Sequence, residues 1–257
     1  MNPTSTVHST HAPGAGSTVV GAPTSNPGDL EVRGVTHRYR THATAPAVLS
    51  TVNLAIPAGS SVAVMGPSGS GKTTLLHLMA GVLRPSEGSI TWRGQDLAAM
   101  SDRRRTRLRR ADFGFVFQSG QLLPELPAEE NAALPLMLGG TSRTEAVAHV
   151  RPILQRLGLA GMTRRRPGEL SGGQAQRVAI ARALAGSPGV IFTDEPTGAL
   201  DSSTGAAVMH QLVAAAAAHG ATLVVVTHDA QVAGVCSRTI TLHDGRIIAD
   251  HAAGGAR

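Results

Sequence analysis

A mixed α/β fold with buried parallel strands is predicted by three features of the sequence. Two short apolar runs, Val190-Ile-Phe-Thr and Thr222-Leu-Val-Val-Val-Thr227, have the length and β-branched character of strands covered on both faces. An Ala-rich helical stretch from about Thr204 to His219 lies between them, as a crossover between parallel strands requires. A third apolar run, Ser61–Met65, ends at a glycine-rich turn and leads into a helical stretch from Lys72 to about Leu83.

The elements follow in order. Residues 1–28 are rich in Ser, Thr, Pro, Gly, Ala and His and poor in large apolar side chains, so burial cannot offset their ordering entropy; a disordered tail is predicted, with solvated His8 and His11. Strand-like spacing begins at Leu30-Glu-Val-Arg-Gly-Val and returns at Val48-Leu-Ser-Thr-Val-Asn-Leu-Ala-Ile, with a polar loop between. Gly88-Ser-Ile-Thr-Trp-Arg93 reads as a further strand, with Trp92 packed in it. The segment from about Gln118 to Ala185 reads as helix and loop, and about 119–185 is expected to form a helical subdomain. Thr239-Ile-Thr-Leu-His and Arg246-Ile-Ile-Ala flank Asp244-Gly245, a strong hairpin turn. The expected domain spans residues 29–250, followed by a short tail at 251–257; no internal repeat is visible.

Composition narrows the function classes. Hydrophobic residues make up 42% of the 257 residues and aromatics only 2%, so the core must be built from Ala, Val, Leu and Ile. The net charge of +6 comes almost wholly from arginine, Lys72 being the only lysine, and it leaves open nucleic acid, an anionic membrane surface or codon bias. A single cysteine, Cys236, excludes an intrachain disulfide. No apolar run reaches the ~20 residues of a membrane span, and the N-terminus lacks the pattern of a signal peptide. The expectation is a cytoplasmic chain which, if it drives transport, relies on another chain for the pore.

Three motifs carry chemistry. Gly66-Pro67-Ser68-Gly69-Ser70-Gly71-Lys72-Thr73, followed by Thr74, fits G-x-x-x-x-G-K-[ST] between a strand and a helix. Successive backbone N–H groups form an anion nest there, Lys72 reaches the β- and γ-phosphates of a nucleotide, and the Thr73 hydroxyl is placed to ligate Mg²⁺. Val190-Ile-Phe-Thr-Asp194-Glu195 delivers two carboxylates at the C-terminal end of a strand, where open α/β sheets bind ligands. Asp194 is expected to hold Mg²⁺ through its water shell and Glu195 to polarise the attacking water. In Leu170-Ser171-Gly172-Gly173-Gln174, the serine can cap the following helix and the glycines allow N–H groups close to an anion.

In this order the three motifs resemble the ABC ATPase family over essentially residues 30 to 250. The resemblance implies a P-loop NTPase cassette with a RecA-like core, an antiparallel β subdomain and an α-helical signature subdomain. It implies ATP as nucleotide and Mg²⁺ as metal. Gln118, in Phe113-Gly-Phe-Val-Phe-Gln118, corresponds to the glutamine that contacts Mg²⁺ and links core to helices. Asp201, in Gly198-Ala-Leu-Asp201, matches the acid at the dimer interface, and His228 the histidine that senses the γ-phosphate. Tyr39, the only tyrosine, stands where the family stacks an aromatic on adenine. Ser171 would complete the site of the opposite protomer, so that two ATP molecules are sandwiched in a head-to-tail homodimer.

The segment Phe115 to Pro135 and Thr197-Gly-Ala-Leu-Asp-Ser-Ser-Thr-Gly205 are similar to ATPases that serve FtsX-like permeases, a group that includes lipoprotein-release, macrolide-export and antimicrobial-peptide-export systems. Pro127 and Ala175 depart from that group's usual residues, at positions without a chemical role. The resemblance implies an exporter subunit at the inner face of the plasma membrane, without nucleic acid. Two rivals stay open: an ATPase that drives an FtsX-like regulator of cell-wall hydrolases, and a nucleic-acid-linked ABC ATPase. The latter's usual second cassette, charged linker or coiled-coil insertion is missing here. The arginines from Arg103 to Arg110 and Arg164-Arg-Arg166 fit anionic lipid, an acidic permease loop, or simply solvated surface.

Overall fold

In a computed structural model, residues 29–39 and 46–252 are described; the expected tail at 1–28, with His8 and His11, lies outside them. Ten strands and seven α-helices follow one another within these residues. Strands β1 (Leu30–His37), β2 (Leu49–Ile56), β4 (Glu87–Trp92) and β5 (Gln95–Asp96) form an antiparallel sheet in the order β2-β1-β4-β5. Strands β3 (Ser61–Met65), β6 (Phe113–Phe117), β7 (Val190–Asp194), β8 (Thr222–Val226), β9 (Arg238–His243) and β10 (Arg246–Ala252) form the second sheet, ordered β10-β9-β3-β8-β7-β6. Its strands are parallel except for the antiparallel edge strand β10.

Strand period fixes how this sheet is covered. On β7, Ile191 points to one core and Val190 and Phe192 to the other; on β8, Leu223 and Val225 oppose Val224 and Val226. Both faces are therefore apolar, and the runs read as continuous rather than alternating. One face packs on helices α5 (Gly172–Leu184) and α6 (Ser202–Ala218), and α3 (Ala128–Leu138) and α4 (Arg143–Arg156) pack in turn on α5, all within one apolar cluster. The other packs on α1 (Lys72–Met79) and the antiparallel sheet. Helix α2 (Asp102–Asp112) precedes β6, and the short α7 (Ala230–Ala233) follows β8. No helix among the described residues is long and apolar enough to cross a membrane.

The four phenylalanines cluster instead of scattering. Phe192, 1% exposed, meets Phe113 edge-on at 5.3 Å and Phe115 in a stack at 5.8 Å between ring centroids. This cluster anchors the strand that ends in Asp194. Phe192→Ala is expected to cost about 3–5 kcal/mol, the range for truncating a buried aromatic. Urea unfolding of the purified chain measures it; a loss under about 1 kcal/mol would mean the neighbours close the cavity.

Two element ends differ from the sequence reading. The helix expected from Lys72 to Leu83 stops at Met79, because Gly81 takes φ 63° and ends the α-helical path. Strand β10 continues to Ala252, into the segment read as a tail, because the hairpin keeps pairing as far as Ala252 opposite Arg238. The Asp244-Gly245 turn has both φ values positive, at 45° and 72°, as a two-residue type I′ hairpin requires. Trp92 is buried in β4, its indole N–H donating to Asp112 Oδ2 at 3.2 Å. Cys236 is buried, and that burial pushes its thiol up to about 11, so it stays protonated and unreactive at neutral pH.

Candidate nucleotide site

The glycine-rich loop runs from the end of β3 to α1 over the β9–β10 hairpin. Gly66 has φ 149°, and a Cβ there would lie 2.0 Å from the Leu242 carbonyl oxygen, so only glycine fits against β9. The hairpin also donates Gly245 N–H to the Ser70 carbonyl at 3.1 Å, holding the loop from behind. Gly71, at φ 101°, caps α1 without a side chain, and the first turn holds no acid. The free N–H groups of that turn are left for an incoming anion.

Lys72 completes the anion site. Its side chain folds back over the loop, the ammonium donating to the carbonyls of Gly66 at 2.8 Å and Pro67 at 2.9 Å. Two carbonyls position the charge but do not neutralise it, which leaves it available to phosphate oxygens. Ser70 turns its hydroxyl inward, where it is buried without a hydrogen-bond partner, so it serves the loop through its backbone.

Asp194 ends β7 beside the loop, and the Thr73 hydroxyl donates to its Oδ2 at 3.0 Å across 121 residues of chain. A hydroxyl and a carboxylate side by side form a hard-oxygen donor set suited to Mg²⁺. Burial raises the carboxyl's pKa above the ordinary value, the Thr73 hydrogen bond partly opposing it; a divalent cation would favour the ionised form.

Glu195 follows with φ 48°, a strained conformation for a residue with a side chain, held by its N–H to the Val226 carbonyl at 2.9 Å. Its Oε1 lies 2.8 Å from His228 Nδ1 and its Oε2 accepts from the Thr227 hydroxyl at 3.4 Å. The His228 side chain is 71% exposed, so the pair is buttressed from β8 yet open to a ligand. Lys72, Thr73, Thr74, Asp194, Glu195 and His228 thus share one cleft of about 640 Å³, with Ser68, Gly69 and Gly71 on its wall. The sheet brings them together: β3, β7 and β8 are adjacent and parallel, so their C-terminal ends open on the same edge.

Tyr39 joins the cleft through its hydroxyl, 3.1 Å from the Thr74 Oγ1. His37, which sequence reasoning passed over, meets the Tyr39 ring edge-on at 4.9 Å and holds the Arg84 carbonyl with Nδ1 at 3.1 Å. The available signal was its position two residues before Tyr39, on the same side of an extended chain. Thr227 was passed over too, although it directly precedes His228.

Other expected residues stand apart from this cleft. Gln118, just beyond β6, lies against Gly198, where a Cβ would come 2.8 Å from its side-chain amide nitrogen. Ser171 caps α5 reciprocally: its hydroxyl accepts from Gln174 N–H at 3.3 Å, and Gln174 Oε1 accepts from Ser171 N–H at 2.9 Å. Gly172 and Gly173 press the start of α5 against Leu200 and Thr204. Asp201 caps α6, accepting from Thr204 N–H and the Ser203 hydroxyl, and these bonds hold its carboxyl far below the usual range. Residues Ser171–Gln174 therefore form a second patch outside their own chain's cleft, while Asp201 lines a smaller pocket of about 180 Å³ that Glu195 and His228 also line.

A family model described as ABC transporter matches residues 49–198. The lipoprotein-releasing system ATP-binding protein LolD of Geobacter metallireducens is 44% identical over 221 residues, 86% of this chain and 98% of that protein. A macrolide export ATP-binding/permease protein, MacB 2 of Aeromonas hydrophila, is 45% identical over 86% of this chain, which spans only 34% of that longer protein. Among solved structures, a dimeric ATP-binding cassette in a post-hydrolysis state bound to ADP and Pi superposes with a TM-score of 0.79. It is 40% identical in sequence, over 88% of this chain and 100% of that one.

Proposed function

The chain belongs to the ABC transporter family, and from that premise we propose that it is the ATP-hydrolysing subunit of an exporter whose permease is a separate, FtsX-like polypeptide. The observation that carries the reading is the single cleft in which Lys72, the Thr73–Asp194 pair and the Glu195–His228 pair converge. The loop N–H groups and Lys72 bind the phosphates, and Tyr39 stacks on the adenine. Thr73 and Asp194 would hold Mg²⁺, and Gln118 would reach it only by leaving its place against Gly198. When bound, Mg²⁺ neutralises charge on the phosphate oxygens. Glu195 orients the attacking water and accepts its proton, and His228 senses the γ-phosphate.

The second patch accounts for dimerisation. Ser171, Gly172, Gly173 and Gln174 present a capped helix start whose N–H groups suit an anion, but their own cleft is elsewhere. In a head-to-tail homodimer this patch, with Asp201, closes the cleft of the other copy. The similar cassette described as a dimer bound to ADP and Pi supports dimerisation.

The permease contact is assigned to a groove of about 330 Å³ lined by Phe115, Phe117, Leu134 and Leu138 and edged by Arg110 and Arg182. Leu138 is 67% exposed there, and the groove adjoins β6 and hence Gln118. A permease segment seated in it would feel any shift of the helices relative to the cleft. In this reading the subunit sits peripherally on the cytoplasmic face of the membrane.

Gel filtration of the Glu195→Gln chain tests the sandwich. ATP without Mg²⁺ is expected to shift it from monomer to dimer. A monomer with ATP demonstrably bound would rule out ATP-driven homodimerisation of the isolated subunit and point to the permease or a different ATPase subunit.

A further inference from the structure

Helix α2 carries six arginines among its 11 residues, and the fold sorts them into two sets. At about 100° per residue, Arg105 and Arg109 fall on one side of the helix. Both are used internally: Arg105 is buried and paired with Asp102, and Arg109 Nη1 donates to the Gly81 carbonyl at 2.8 Å. Asp112, at the far end of the helix, is likewise taken by Trp92 and Arg93. Arg103, Arg104, Arg107 and Arg110 occupy the opposite arc of about 120°, spread over about 10 Å of axis. All four are exposed, and among the described residues none has a carboxylate partner. Arg104 donates to Gln95 Oε1 and Arg110 to the Leu138 carbonyl, which steadies the arc without neutralising it.

We propose that this face of α2 is a docking surface for anionic phospholipid headgroups. Charge complementarity calls for an anionic partner. The shape favours a membrane over a folded partner: the arc is convex and offers a diffuse row of guanidinium groups rather than a pocket with fixed hydrogen-bond geometry. It is also continuous, through Arg110, with the groove assigned to the permease. The inference rests on the membrane-subunit reading above, in that a chain held on a permease is thereby held near a bilayer.

The test is sedimentation of the full chain with vesicles of phosphatidylglycerol and phosphatidylcholine at low salt. Arg103→Gln/Arg104→Gln/Arg107→Gln is compared with Arg164→Gln/Arg165→Gln/Arg166→Gln, which removes the same charge elsewhere. Each arginine near an anionic surface contributes about fivefold to partitioning, so the α2 triple is expected to bind about 100-fold more weakly. The second triple should lose far less, salt should abolish the difference, and phosphatidylcholine vesicles should bind neither. Equal losses in both triples would reduce the effect to net charge and overturn the proposal. So would absence of wild-type binding, with the α2 triple instead failing to assemble with the permease (an acidic protein segment) or to bind DNA (a nucleic-acid face). Turnover of ATP, measured on the same samples, separates the two readings: it should be equal in wild type and both triples, and a wild type without turnover would count against the ATPase reading alone.

Discussion

Glu195→Gln is expected to keep ATP bound and to slow hydrolysis by about 10²–10⁴-fold, the usual contribution of a positioned general base. The substitution keeps the size of the side chain, so the strained backbone at φ 48° and the contacts from Thr227 and His228 can persist. What is lost is the ability to take a proton from water at a site already oriented by two neighbours. Binding should therefore separate from turnover, a split that a collapsed site would not show. Steady-state phosphate release and equilibrium binding of ATP, read on the same preparation, measure both. Turnover near the wild-type rate would move the base elsewhere, with His228, 2.8 Å away, the nearest titratable group.

Lys72→Ala is expected to weaken ATP binding by about 10²-fold or more, since charge-assisted hydrogen bonds are worth ~1.5–3 kcal/mol each and Lys72 can reach two phosphates. Stacking on Tyr39 is worth ~1–3 kcal/mol and acts on the base alone. The loop itself should survive, because its path is fixed by Gly66 against Leu242 and by Gly245 N–H to the Ser70 carbonyl, neither of which involves the lysine. Titration with ATP, alongside circular dichroism to show an unchanged fold, reads the outcome. Near-normal affinity would take the phosphate site away from residues 66–73.

Much of this architecture was legible in the chain. The buried strands at 190–194 and 222–226, the hairpin at Asp244-Gly245 and the helix that starts at the glycine-rich loop are local features, written in period, β-branching and turn chemistry. Boundaries were less legible, because an apolar pattern does not show where the chain leaves the helical path or where pairing ends. Gly81 ended α1 earlier than its apolar pattern implied, and the pairing of Ala252 with Arg238 extended β10 beyond it. The glycine-rich loop and the Asp194-Glu195 pair were legible as candidates because each is contiguous in the chain.

By itself, the sequence determined which residue types stand at the C-terminal ends of which strands, because strand, turn and helix-start signals act over a few residues. Only the tertiary structure decided which of them meet. Parallel pairing of β3, β7 and β8 is non-local, and it alone sets Thr73 on Asp194, and Thr227 and His228 on Glu195. Packing of α5 against α6 is equally non-local, and it holds Ser171–Gln174 away from their own cleft, leaving them for a second copy in the arrangement proposed. The arginines of α2 show the same division of labour. Their number was plain in the sequence, but which ones face inward depends on how the helix is docked, and a single chain of letters carries no such rotation.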